Sequence, residues 1–188
     1  VLTQSVTASK YSNAAFSCTC YEAAADYCIA SNDSKQLFVC LVKLVHEIYP
    51  LLRRKKKEYR QSLARCEEFV SYYIMLLALV DQNSSTVIKK LHQSDPEVLQ
   101  SMPVAVTMQL YQAIIMDNYF RFFAILSRYY QIMPKYWLHL LTLLEGIDKM
   151  RLLALKMMSK SYYSVELSLI AKSLAFQTTR DAYNWIRK

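Results

Sequence analysis

The feature that most limits what this chain can become is its near-lack of glycine. It has one, Gly146, in 188 residues, and only four prolines. Tight hairpins reach positive φ through glycine, and phosphate-cradling loops use it to bring backbone amides up to their ligand. With a single glycine neither a P-loop nor a dinucleotide fingerprint can form. The expected fold class is therefore all-α, built as stacked helical pairs.

Helical periodicity points the same way along the chain, most clearly over 103–131. Val106, Leu110, Ala113 and Ile114 form one apolar stripe, and Val104, Met108, Tyr111 and Ile115 a second. A helix apolar on two sides is expected to lie between neighbours. The turn Asp117-Asn118 leads to a second arm, Tyr119-Phe120-Arg121-Phe122-Phe123, continuing through Leu126 and Tyr130, with Asn118 as its N-cap. Two helices on so short a turn are expected to pack antiparallel.

Before this pair, a helix over 14–30 carries Phe16, Cys20, Ala24, Tyr27 and Cys28 at helical spacing. Ser31-Asn32-Asp33 breaks it, and Ser34 is expected to cap a second helix that Pro50 stops at Tyr49. Its inward positions are Leu37, Leu41, Leu44, Val45 and Ile48. A third helix over 59–80 turns Phe69, Tyr72, Tyr73, Leu76 and Leu77 inward, and a short fourth runs from Ser84-Ser85-Thr86 to His92. Asp95-Pro96-Glu97 reads as an N-cap, a proline at the first helical position and an acid in the first turn. Pro103 then kinks that helix or makes it stop and restart.

After the pair, Pro134 opens one long helix through Trp137, Leu141, Leu144, Ile147, Leu152, Leu155 and Met158. Gly146 weakens it by about 1 kcal/mol relative to alanine without having to break it. Ser164 is expected to cap 165–175, and Thr178 or Thr179 a last helix to Ile186. With the turn Ala175-Phe176-Gln177 between them these make a helix-turn-helix. The chain stops at Lys188, where the β-wing of a winged helix would begin, so a fragment of a longer protein is expected. The organisation read from this is a helical-repeat region over 1–147 and a winged-helix portion over 148–188, its wing missing or truncated. The two are expected to be continuous as one domain.

Charge is unevenly placed. Residues 1–40 sum to −1, 41–70 to +4, 71–147 to zero and 148–188 to +5, for a net +8. Two basic blocks point to a polyanionic or acidic partner. One holds Arg53-Arg54-Lys55-Lys56-Lys57, followed by Arg60. These adjacent like charges repel one another unless a counter-ion is found. They read as a solvated linker or as a contact for phosphate or acidic protein. In the other block the last helix offers Arg180 and Arg187, with Lys188 beyond and Lys172 on the helix before. Tyr183 and Trp185 are candidates for stacking on bases, though Trp185 is expected to pack inward.

No catalytic, metal or cofactor site is expected. Five cysteines without a Cys-x-x-Cys pair, and no secretory signal, argue for reduced thiols inside the cell. Cys18-Thr19-Cys20-Tyr21-Glu22 reads as one turn of an amphipathic helix, and the three histidines are far apart. The longest uncharged run, 98–116, carries too many glutamines and hydroxyls for lipid, so no membrane span is expected. The two-sided helix over 104–115 and the apolar run 69–80 are expected to leave apolar surface for a partner.

The chain resembles the SAC/GANP domain family in three places. Phe16, Tyr21-Glu22, Asn32-Asp33, Cys40, Leu44 and Tyr49 resemble the family's early helix pair with its Gly-Asp turn. Asp95-Pro96-Glu97-Val98 and Asn118-Tyr119-x-Arg121-Phe122-Phe123 resemble its Asp-Pro-x-Val and Gly-Asn-Tyr-x-Arg-Phe-Phe. Residues 167–176 and 182–186 resemble its approach to the winged helix. Asp117 and Ala175 stand where the family carries glycine. The resemblance implies a TPR/PCI-like solenoid ending in a winged helix, and a non-enzymatic scaffold acting in mRNA export or in coupled transcription and processing, placed in the nucleus or at the nuclear pore. It also implies a hetero-oligomer with a PCI-domain protein and a small acidic disordered protein shared with the proteasome lid, together binding RNA. The alternative is a pure assembly module of the proteasome-lid or signalosome type, whose basic blocks serve only acidic partners.

Overall fold

A computed structural model describes residues 2–80 and 96–187. Among these the regular structure is helical and no strand is present, so the fold class is all-α. The expected helix from Ser84 to His92 and the Asp95 cap lie outside the described residues. The chain divides into two compact units, Val1–Thr107 and Met108–Lys188.

The first unit opens with α1 (Leu2–Ala30), which begins well before residue 14. Its buried face is Ala14, Cys18, Ala25, Cys28 and Ile29, which shares only Cys28 with the expected stripe. Phe16 and Tyr27 are each 73% exposed. Small side chains let α2 (Ser34–Lys43) come close, and the bulky residues that dominate the sequence pattern are left outside. At the turn Asn32 takes φ 60°. Asp33, not Ser34, caps α2, its carboxylate accepting from the Gln36 amide at 3.0 Å.

Leu37, Leu41, Leu44, Val45 and Ile48 are buried as expected. Pro50, however, does not end the helix. A π turn over Leu44–Ile48 leads into α3 (Tyr49–Arg53), with Pro50 in its first turn. Proline inside an α-helix lacks the donor for one hydrogen bond and strikes the carbonyl four residues back. Here the wider π turn precedes it and Pro50 falls in a first turn, where proline is tolerated. Residues 54–65 are turns, so α4 (Cys66–Val80) starts later than expected. Like charges four apart, such as Arg53 and Lys57, disfavour helix there.

Every residue from 69 to 78 is buried. The first unit thus hides residues 69–78 of the apolar run that was expected to leave surface for a partner. Next, α5 (Pro96–Gln100) ends at a bend on Ser101 and α6 (Met102–Ile115) begins, so the helix stops and restarts. Pro103 sits in the first turn of α6, where a missing amide costs nothing.

In the second unit Leu110, Tyr111 and Ala113 are buried while Ile115 is 49% exposed, so the second stripe of α6 is only partly covered. Asn118 caps α7 (Tyr119–Tyr129), accepting from the Arg121 amide at 2.9 Å. This helix buries Phe122, Phe123, Ile125 and Leu126. It packs chiefly on α9 (Gly146–Ser161), not on the arm before it.

The expected long helix is broken into α8 (Trp137–Leu143) and α9. Glu145 adopts φ 55° between them and Gly146 opens α9 buried, its lack of a side chain serving close approach. Met150, Ala154 and Met158 form the inward stripe of α9, and Leu152 faces out. Residue 148, where the winged-helix portion was expected to start, lies inside α9. Ser164 caps nothing, because α10 (Leu167–Ser173) begins after Glu166. Ala175 then takes φ 53°. Thr178 caps α11 (Thr179–Ile186) in a reciprocal box with Asp181, each side chain accepting from the other's amide at 3.1 Å.

Candidate nucleic-acid interface

The last helix buries only Ala182 fully, keeps Trp185 half-buried and exposes its other side chains. Arg180, Tyr183, Asn184 and Arg187 follow i, i+3, i+4 and i+7, one face of a helix, and all four are exposed. Arg187 donates to the Tyr183 hydroxyl at 3.2 Å, which holds cation and ring side by side. Lys172, on α10, is also exposed. Lys188 lies outside the described residues.

Beneath this face sits a side chain that the sequence offered only as one more charge. Arg151, on α9, places its guanidinium 3.8 Å over the Phe176 ring. It donates to the Leu174 and Ala175 carbonyls at 3.3 and 3.5 Å, closing the end of α10, and to Asp148 at 3.4 Å. Burial lowers its pKa, against the opposing pull of Asp148. Asp148 also accepts from the Trp185 indole at 2.9 Å, so Trp185 packs inward along that edge. No local signal marks Arg151, whose carbonyl partners lie more than twenty residues on. Asn184 was findable from the spacing of Arg180 and Arg187.

The other basic run belongs to the first unit. There Arg53 donates to the Cys66 sulfur at 2.9 Å, Lys55 pairs with Glu58 at 3.3 Å, and Lys56 pairs with Glu97. Lys55 also lies over the Tyr11 ring. Arg54, Lys57 and Arg60 remain exposed without an acidic partner among the described residues.

Behind that run is a polar network. Glu22 accepts from the Tyr49 hydroxyl at 2.8 Å and from the Cys18 thiol at 3.4 Å. Burial raises the Glu22 pKa, against these hydrogen bonds and the Arg65 charge. Arg65 binds both oxygens of Asp26, at 2.7 and 3.0 Å, and both of Glu68. Burial pushes Cys66 up to about 11, in spite of Arg53. It also raises Cys18, with Glu22 adding to the rise. These are protonated, packed thiols, the reverse of a nucleophile's setting. Among the described residues no cluster of His, Cys, Asp or Glu is placed to hold a metal ion, and no helix is long and apolar enough to cross a membrane.

A model of the SAC3/GANP family matches residues 13–188. The chain belongs to that family. No curated protein and no solved structure matches it. The SAC3/GANP family is associated with nuclear mRNA export, so this is an mRNA-export-related domain.

The residues that carried the resemblance do structural work here. Glu22 gathers hydrogen bonds, and Cys40 is buried with its pKa raised first by burial and then by Cys28. Asn118 caps, and Phe122 meets Phe123 edge-on at 5.1 Å. Tyr21 and Tyr119 are half-buried, while Pro96 and the Arg121 side chain are exposed. Among the described residues four non-glycine residues are left-handed, and three of them, Asn32, Asp117 and Ala175, are the positions that the resemblance set against glycines of the family. The backbone has kept a glycine conformation without the glycine.

Proposed function

We propose that this SAC3/GANP chain is a non-enzymatic scaffold subunit of a nuclear mRNA-export complex that holds RNA on the outward face of α11. In this reading its helices form a PCI-like stack closed by a winged helix, and it works in the nucleus as far as the pore. It pairs with a PCI-domain protein and a small acidic protein shared with the proteasome lid. The support is the stripe Arg180, Tyr183, Asn184 and Arg187, exposed together and without a carboxylate partner among the described residues.

Two arginines imply modest, mostly electrostatic affinity that a basic partner would supplement. The apolar side chains left outside, among them Phe16, Tyr27, Met116 and Phe120, give a partner something to cover. The test is Arg180→Glu with Arg187→Glu in the assembled complex. Single-stranded RNA should bind more weakly, with a salt slope smaller by roughly 0.7 for each phosphate no longer neutralised. The complex should still elute intact. If affinity and slope do not change, while neutralising Arg53, Arg54, Lys55, Lys56 and Lys57 abolishes binding, the site is misplaced.

A further inference from the structure

Beside the outward face of α11 lies a depression of about 470 Å³, lined by Arg151, Phe176, Gln177, Asp181, Asn184 and Trp185. Its aromatic walls are half-buried and fixed in place. Phe176 lies against the Arg151 guanidinium, its ring centre is 5.8 Å from that of Trp185, and the indole nitrogen is tied to Asp148. Arg151 directs its donors to two carbonyls and Asp148, and Asp181 accepts from Thr178. That leaves the amides of Gln177 and Asn184, which are exposed and have no hydrogen-bond partner among the described residues.

Each amide presents a donor beside an acceptor, the pattern that complements the edge of a nucleobase. Single strands are read in this way, with unstacked bases laid on aromatic or guanidinium planes and hydrogen-bonded at their edges. Asn184 belongs both to this depression and to the stripe of Arg180 and Arg187, so a strand held on the arginines passes its mouth.

We infer that the depression receives one unstacked base of a single-stranded RNA whose phosphates lie on Arg180 and Arg187. The inference rests on the RNA-binding reading above and adds base recognition to it.

The assembled complex is titrated by fluorescence anisotropy with a mixed-sequence RNA decamer and with the same decamer made abasic throughout. The intact strand should bind roughly tenfold more tightly, the worth of a modest base–aromatic stack. Gln177→Ala with Asn184→Ala should narrow the gap to the abasic strand, because the contacts to the base edge are lost while the aromatic walls remain. It should leave the salt slope alone, because neither amide neutralises a phosphate. Both residues are exposed, so the thermal transition should not move. Equal affinity of the wild-type complex for the two strands overturns the base site and leaves the RNA-binding reading standing. So does base discrimination that the double substitution leaves undiminished. Failure of the wild-type complex to bind either strand overturns the RNA-binding reading itself, and the base site with it.

Discussion

The turn over 53–60 and the helix α11 are both basic, but folding uses the charge differently in each. In the turn, Lys55 and Lys56 meet Glu58 and Glu97, and Arg53 meets a sulfur. In α11 the arginines of the outward stripe meet no carboxylate among the described residues, and the acid on that helix, Asp181, is occupied with Thr178. The denser run is therefore the more neutralised one. Linear charge density counts cations, whereas availability depends on which acids the fold brings back. Glu97 lies 41 residues from Lys56 in the sequence.

The largest effect on this contrast should come from what underlies α11. Arg151→Ala should lower the stability of the second unit by about 3 kcal/mol in chemical denaturation, since two carbonyls and an aromatic face lose their cover together. Arg151→Lys should recover little, because an ammonium has neither the plane nor the fork. A loss below 1 kcal/mol would mean that the helix does not depend on this support.

A smaller change should follow at the preceding turn. Ala175 holds φ 53° without a side chain able to hydrogen-bond there, so Ala175→Gly should add about 1 kcal/mol. An unchanged or lowered stability would argue against strain at that residue.

Behind the basic turn of the first unit, pH should report on Glu22. Its folded pKa stands above the ordinary 4.5, so the native chain holds this proton more tightly than the unfolded one. The stability it contributes is complete below that value and declines as pH rises through and above it. Glu22→Gln keeps an acceptor for Tyr49 and should flatten the decline. An equally steep pH profile in the variant would assign the effect elsewhere.

Least of all should follow from Arg54→Gln with Lys57→Gln. Stability should stay within about 0.5 kcal/mol, as for surface changes in general. RNA affinity should fall by no more than roughly threefold, one phosphate contact at most. A loss larger than that of the α11 reversal would invert the comparison.

Helix type was readable wherever the pattern was long and the caps were local. Asn118 and Thr178 act within three residues of themselves, and the inward set from Leu37 to Ile48 obeys a simple period. The failures share a cause in distant neighbours. On α1 the buried stripe is small because α2 comes near, which no count of bulky residues can anticipate. Glu145 breaks a helix that its own propensity would continue, and the Gly146 that follows it is buried. At the interface, Arg180 and Arg187 were legible from type and spacing. Arg151 was not, since it acts on groups outside its own helix.

The π turn at Leu44–Ile48 behaves as a phase shifter. Each residue of an α-helix carries its side chain about 100° further round the axis. The wider winding of a π turn sets everything after it back by about a quarter turn. Leu37, Leu41 and Leu44 define the inward line, and in an unbroken helix Tyr49 would have rotated past it. With the delay, Tyr49 and Leu52 return to that line and are 1% and 0% exposed. The meeting of the Tyr49 hydroxyl with Glu22 is thus a matter of register as much as of residue identity. Removing any one residue from the turn should restore ordinary winding and leave that hydroxyl near its line, because the 100° lost with the residue nearly equals the quarter turn of delay given up. An added residue finds no such compensation and should swing the hydroxyl aside by about 100°.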